Sequence, residues 1–212
     1  MKKAFRNSVL RSLRTLTEDR RVNSDRAVAV KIEHWCQTLP KGVRLSCALF
    51  WGMGHEIKTQ AIDKQLKSYG FTRLYPRVQD RRMSFHEVPA DLGGANMEKG
   101  PFGIPQPPLD WPEAHFTAID LVFVPAIGVT AQGARLGQGG GFYDRFMSLC
   151  RQEQAPPPFV ALVLDEQILD DLPTDSWDQP IDGILSPRCS KWITNPRSFC
   201  RNGVINLLPQ GL

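Results

Sequence analysis

The sequence is poor in the features that mark specialised sites and compartments. Five cysteines occur (Cys36, Cys47, Cys150, Cys189 and Cys200), an odd number with no CxxC pair among them. That spacing excludes a zinc ribbon and a disulfide frame, and it points to reduced thiols that are mostly buried. The four histidines, at 34, 55, 86 and 115, are scattered and form no HExxH, so a zincin-type protease is excluded. No apolar run approaches the roughly 20 residues of a membrane-crossing helix, and the N-terminus has no apolar stretch of the secretory kind. The Walker pattern GxxxxGK[ST] is absent, which removes the P-loop NTPases. There is no internal repeat and no linker. The chain has 212 residues, of which 42% are hydrophobic, so one α/β domain spanning 1–212 is expected, large enough to bury its own core.

Acidic residues are scarce in one place only. Residues 1–31 hold nine Lys/Arg and three acids, Glu18, Asp19 and Asp25, whereas the remainder holds 17 basic and 19 acidic residues. The net charge of +4 is therefore a property of the N-terminal segment. A local anionic ligand fits this pattern better than a nucleic-acid surface. Residues 1–17 are Arg-rich, Ser-containing and free of acids, a composition shared with mitochondrial transit peptides. The spacing of Phe5, Val9, Leu13 and Leu16 favours an ordinary amphipathic helix.

What is abundant is punctuation, with 17 glycines and 17 prolines. Between them, helical spacing covers 4–17 and 25–39, with Ser24 as the expected N-cap of the second helix. Further helices are expected at 59–69 and 142–150. Strands are expected at 43–51, at Phe71 to Tyr75 with Pro76 as the stop, and at 83–88, 119–124, 159–164 and 181–185. Residues 89–114 read as a long ordered loop of functional kind. Strands alternating with helices indicate an α/β fold, a sheet with helices on both faces.

The densest glycine cluster is Arg135-Leu-Gly-Gln-Gly-Gly-Gly-Phe-Tyr-Asp-Arg145. Glycines let backbone N–H groups turn towards an anion, and a helix starting just after them adds positive partial charge. GxGxxG fits at Gly137 and Gly139, but Phe142 stands where the third glycine belongs, and the loop begins well past the strand end at Pro125. An NAD-binding turn is therefore a weak alternative. Arg135 and Arg145 flank the cluster with permanent charge. Asp144 in the first helical turn would repel phosphate unless a divalent cation bridges the two, so nucleotide with Mg²⁺ is expected.

These segments together resemble the 5-formyltetrahydrofolate cyclo-ligase family. The match is strongest over Ile119 to Ala126 and Gly133 to Arg145, where the family carries an apolar strand, a Pro and an RLGxGxGxYDR-type loop. Weaker matches follow in order: Lys2 to Arg6, Glu56 to Thr59, Tyr75 to Val78 with Met83 to Phe85, Phe102 to Pro105, and Asp178 to Asp182. The resemblance implies a three-layer, mostly parallel, Rossmann-like sheet of the NagB/RpiA/CoA transferase-like kind. It implies closure of 5-formyltetrahydrofolate to 5,10-methenyltetrahydrofolate with ATP going to ADP and phosphate. The formyl oxygen attacks the γ-phosphorus, N10 attacks the activated carbon, and phosphate leaves. Such chemistry needs positioning and charge neutralisation rather than a protein nucleophile.

By the same resemblance, Lys2, Arg6, Arg135, Gly137, Gln138, Gly139, Gly140, Gly141, Phe142 and Tyr143 serve ATP. Arg135 and Arg145 are the expected catalytic cations. Trp51, Glu56, Arg77, Gln138 and Tyr143 serve the folate, and Asp144 and Asp178 serve Mg²⁺. The expected setting is a cytoplasmic monomer with small-molecule partners and neither nucleic acid nor membrane. Thr130, Gln106 and Trp177 depart from the family pattern. They keep two alternatives open: a non-catalytic folate or nucleotide binder, and an ATP-dependent enzyme with another acyl substrate.

Overall fold

The structure is a computed structural model that describes residues 1–90 and 96–194. Two helices lead, α1 (Lys2–Arg14) and α2 (Glu18–Thr38), followed by β1 (Ser46–Ala48), α3 (Gln60–Ser68), β2 (Thr72–Gln79) and β3 (Arg82–Glu87). Short pieces β4 (Glu98–Lys99), β5 (Pro105–Gln106) and β6 (Glu113–Ala114) come next, then β7 (Leu121–Val124), β8 (Gly128–Thr130) and β9 (Arg135–Leu136). The chain continues through α4 (Phe142–Cys150), β10 (Phe159–Leu162), β11 (Ile168–Leu169), β12 (Gly183–Leu185) and β13 (Ser190–Trp192).

The main sheet has eight strands in the order β13-β12-β10-β7-β1-β2-β3-β6. Its five central members, β12, β10, β7, β1 and β2, run parallel, and antiparallel strands close both edges. Alternation along the strands sorts the core into two layers. Leu121, Phe123, Val160 and Leu162 face one cluster together with Leu13, Val28, Ile32 and Leu66 of α1 to α3. Val122, Val124, Phe159 and Ala161 face the other, with Phe146 and Met147 of α4. The expected three-layer, mostly parallel arrangement with helices on both faces is present. Cys36, Cys47 and Cys150 are buried as expected, and Cys189 is half-buried; Cys200 lies outside the described residues.

Two local expectations are corrected. Helix α2 starts at Glu18, with Thr17 rather than Ser24 as its N-cap. The Thr17 hydroxyl accepts from the Arg20 amide at 3.2 Å, and Glu18 and Asp19 in the first turn suit the helix dipole. Ser24 sits inside the helix, and its hydroxyl donates back to the Arg20 carbonyl at 2.8 Å. Pro76 does not stop its strand either. It lies opposite Phe85 in the β2–β3 hairpin, past Leu74, the last β2 residue in register with β1. The donor that proline lacks falls where no neighbouring strand needs one. Further along the same margin, the Gln106 side chain accepts from the Val78 amide at 3.2 Å. The hairpin turns through Asp80 (φ 48°) and Arg81 (φ 65°), both left-handed as a two-residue turn of this hand requires.

The chain order of the parallel strands locates a crevice. From β1 the chain moves to β2 on one side, then returns to place β7, β10 and β12 on the other. Connections leave β1 and β7 in opposite directions, so the sheet opens beyond the carboxyl ends of these two strands. The segment after β1 carries Trp51 to Glu56, and the segment after β7 leads to the glycine loop.

Candidate active site

The glycine loop is delivered by a small sheet in the order β11-β8-β9. Thr130 braces the β8–β9 turn by accepting from the Ala134 amide at 3.2 Å. Loop residues 137–141 then run straight into α4, whose N-cap is Gly141 at φ 65°. Gly139 stands at φ 104°, and a Cβ there would lie 3.4 Å from the Arg6 guanidinium. Both positions demand a backbone that side chains disfavour. Gly139→Ala should therefore cost about 1–2 kcal/mol in strain and distort the loop. The check is a urea melt beside the ATP concentration dependence of turnover, and unchanged values for both would refute a shaped loop.

Helix α1 closes over this loop. Lys2 and Arg6 share one face, as their spacing requires. Arg6 donates through Nε to the Gly137 carbonyl at 2.8 Å. Lys2 makes ion pairs with Asp178 and, at 2.8 Å, with Asp175. Burial works against the Lys2 charge, but its hydrogen bonds to Asp175 and Asp178 outweigh that and raise its pKa. The basic N-terminus is thus tied to the loop and to the 175–179 turn.

Below the loop lies an ion pair between Arg135 Nη2 and Asp144 Oδ1 at 2.8 Å, with the Arg135 side chain only 2% exposed. Arg135 also donates to the Pro125 carbonyl at 3.3 Å and lies 5.8 Å from the Tyr143 ring centroid. Asp144 Oδ1 accepts a second bond from the Gln179 amide at 3.3 Å. Since Asp178 directly precedes Gln179, the two aspartates that the resemblance pairs do come together. Each already holds a cationic side chain. Among the described residues, no cluster of three or more His, Cys, Asp or Glu forms a metal cage.

Arg145 projects on the exposed side. It donates to the carbonyls of Gly140 and Arg81 at 3.2 Å each and covers the Phe142 ring at 5.0 Å. The two expected catalytic arginines therefore differ in kind, one buried under the loop and one at its rim.

On the β1 side, Gln138 reaches across the crevice. Its Nε2 lies 3.3 Å from Glu56 Oε1 and 3.2 Å from His55 Nε2. Glu56 Oε2 accepts from the Met53 amide at 3.0 Å. Burial raises the Glu56 pKa, partly offset by the bonds from Met53 and Gln138. Burial also raises the Tyr143 phenol, reinforced by the nearby Glu56 charge. The Tyr143 hydroxyl is buried without a hydrogen-bond partner among the described residues, a state that calls for an explanation such as a ligand.

The sequence model of the 5-formyltetrahydrofolate cyclo-ligase family matches residues 1–187. The chain belongs to that family. It is 30% identical over 190 residues to a 5-formyltetrahydrofolate cyclo-ligase of Mus musculus, covering 87% of this chain and 92% of that one. A cyclo-ligase of Mycolicibacterium smegmatis is 28% identical over 193 residues, covering 88% and 94%. The fold is similar to that of the 5,10-methenyltetrahydrofolate synthetase of Aquifex aeolicus, with TM-score 0.73, 23% identity, and coverage of 95% and 97%. It is similar also to the synthetase of Mycoplasma pneumoniae, with TM-score 0.68, 21% identity, and coverage of 88% and 98%.

Within this cyclo-ligase frame, the remaining expected residues separate. Trp51 is half-buried against Tyr75, with ring centroids 6.1 Å apart. Arg77 is buried and ion-pairs with Glu98, while also donating to the Pro107 carbonyl at 2.6 Å. It ties down the 98–107 segment, and its hydrogen bonds and ion pair go there rather than to the glycine loop. Of the three departures from the family pattern, Thr130 and Gln106 are buried and bonded to backbone, whereas Trp177 is 67% exposed beside Asp178. His55 was not singled out by the sequence. Asp175 and Gln179 lie beside and within the matched Asp178 to Asp182 segment, and the folded geometry gives them their partners, Lys2 and Asp144.

Proposed function

We propose that this chain catalyses the ATP-dependent closure of 5-formyltetrahydrofolate to 5,10-methenyltetrahydrofolate, releasing ADP and phosphate. The observation that carries the reading is the glycine loop at the switch point, bridged by Gln138 to Glu56 on one side and pinned by Arg6 on the other. In this reading the backbone amides of Gly137 to Gly141, with Phe142 and Tyr143 at the helix start, surround the ATP phosphates. Lys2, Arg6, Arg135 and Arg145 supply the positive charge. Lys2 and Arg135 act partly through the carboxylates that now hold them. Mg²⁺ ordinarily takes one or two carboxylates, completing its shell with phosphate oxygens and water. Asp144 and Asp178, joined through Gln179, fit that donor set and would hold the ion, which neutralises charge on the phosphates.

The folate lies towards β1. Glu56 is a half-buried carboxylate able to accept two N–H bonds from the amide-type edge of the pterin. Gln138 and the unpartnered Tyr143 hydroxyl add a polar pair beside it. Trp51 lines the same side, and Arg77 acts by anchoring the loop next to it. The protein works as a monomer in the cytoplasm on small molecules. No helix among the described residues is long and apolar enough to cross a membrane.

The deciding experiment follows methenyltetrahydrofolate absorbance from 5-formyltetrahydrofolate with and without ATP and Mg²⁺. Absence of turnover above background with homogeneous protein would sink the proposal. Within it, Glu56→Gln should raise KM for the folate about 10- to 100-fold, the loss of a charge-assisted hydrogen bond, with a smaller change in KM for ATP. Equal changes in both constants would remove Glu56 from the folate side.

A further inference from the structure

The contact of Gln138 with His55 and Glu56 fixes more than a distance. A carboxylate only accepts hydrogen bonds, and the Glu56 carboxylate meets the Met53 amide and Gln138. The end of Gln138 that meets Glu56 must therefore be its NH₂ group. The same nitrogen lies 3.2 Å from His55 Nε2. With Gln138 donating to both, His55 Nε2 must be an acceptor, which makes His55 neutral and protonated on Nδ1. Both N–H bonds of Gln138 are then used, and its carbonyl is left to face the ligand.

We propose that His55 is a positioning residue for the folate: its unprotonated Nε2 holds the Gln138 amide in the orientation that keeps Glu56 and the Gln138 carbonyl set for the pterin. This rests on the reading above, in which Glu56 and Gln138 border the folate. Protonating His55 puts a donor against a donor. Gln138 must then turn or leave, and Glu56 loses its partner. The surroundings favour the neutral form. The charged groups around His55 are Arg14 of α1, Arg21 of α2 and Glu56 on its own segment, and Arg21 is held close by its bond to the Gly54 carbonyl at 3.3 Å. Burial, then Arg21 and Arg14, lower the His55 pKa, so the neutral form should persist to below the usual histidine range.

The test compares wild type with His55→Gln and His55→Ala from about pH 8 down to about pH 4.5, below the usual histidine range. A glutamine carbonyl can accept from Gln138 but does not titrate. In wild type, KM for 5-formyltetrahydrofolate should rise about 10-fold towards the acid end, as one charge-assisted contact is lost, with kcat and KM for ATP nearly flat. His55→Gln should remove the acid rise, and His55→Ala should show the high KM at every pH. Identical pH profiles for wild type and His55→Gln would overturn the proposal. So would a normal folate KM for His55→Ala. A second measurement is independent of substrate: nitrogen NMR of the histidines in the free protein should show an Nδ1–H tautomer for His55, with the Gln138 amide signals shifting as it titrates. An Nε2–H tautomer would overturn the proposal even if turnover is confirmed. If the NMR result holds but the protein turns over no folate, the function reading has failed, and with it the folate role proposed for His55.

Discussion

Asp144→Asn should lower ATP-dependent turnover by about 100-fold or more, the scale of removing an electrostatic clamp from a transferring phosphoryl group, while costing only about 1 kcal/mol of stability. The two figures differ because Asp144 is assigned two tasks of unequal demand. Its Oδ1 accepts from Arg135 Nη2 and from the Gln179 amide. Asparagine keeps an oxygen of the same size at that place, so both bonds can survive in weaker, neutral form. It cannot keep the negative charge that a divalent cation needs. Turnover at saturating Mg²⁺, set beside a urea melt of the same preparation, separates the tasks. A turnover loss no larger than the stability loss explains would leave Asp144 as a partner of Arg135 alone.

Arg135→Met should have the larger structural effect, a loss of about 3 kcal/mol. The Arg135 side chain is 2% exposed and that of Asp144 is 21% exposed, so removing the arginine strands a carboxylate with little water to replace it. The guanidinium also connects two separate pieces: the Pro125 carbonyl at the end of β7, and α4 through the Tyr143 ring and Asp144. Methionine fills much of the volume but makes none of the polar connections. Arg135→Lys retains charge without the planar fork and should fall between the two. Denaturant midpoints for the three proteins provide the check. A wild-type midpoint for Arg135→Met would mean that the pair contributes nothing net, as some buried pairs do. The glycine loop would then need another support.

The pair also bears on catalysis. In the structure, both aspartates assigned to Mg²⁺ hold basic side chains assigned to phosphate: Asp144 holds Arg135, and Asp178 holds Lys2. Opposite charges so arranged cancel before any ligand arrives, which makes it cheap to keep them close together. In the proposed function, ATP with a divalent cation would bring both signs at once and could engage each partner without leaving either unpaired.

The sequence alone determined those parts of the molecule that rest on local chemistry. Four glycines in five residues, two at positive φ in the fold, followed by a helix start, specify a tight turn into α4 of the kind that the proposed phosphate cradle requires. Period-two and helical spacing located the central strands and helices, because burial on one face leaves that imprint. Local signals failed where neighbours in space overruled them. Pro76 reads as a stop, yet it continues a strand because β1 has already ended beside it. Ser24 reads as a cap, yet Thr17 and two acids had started the helix about two turns earlier. Asp144 reads as a bare carboxylate among phosphates, and only the fold shows Arg135 beneath it. His55 carries no mark in the chain at all. It lies 83 positions from Gln138, and the two meet because the strand order reverses between the parallel neighbours β1 and β7. The glycine loop is thus written in the residues, whereas the partners that orient it are set by long-range packing.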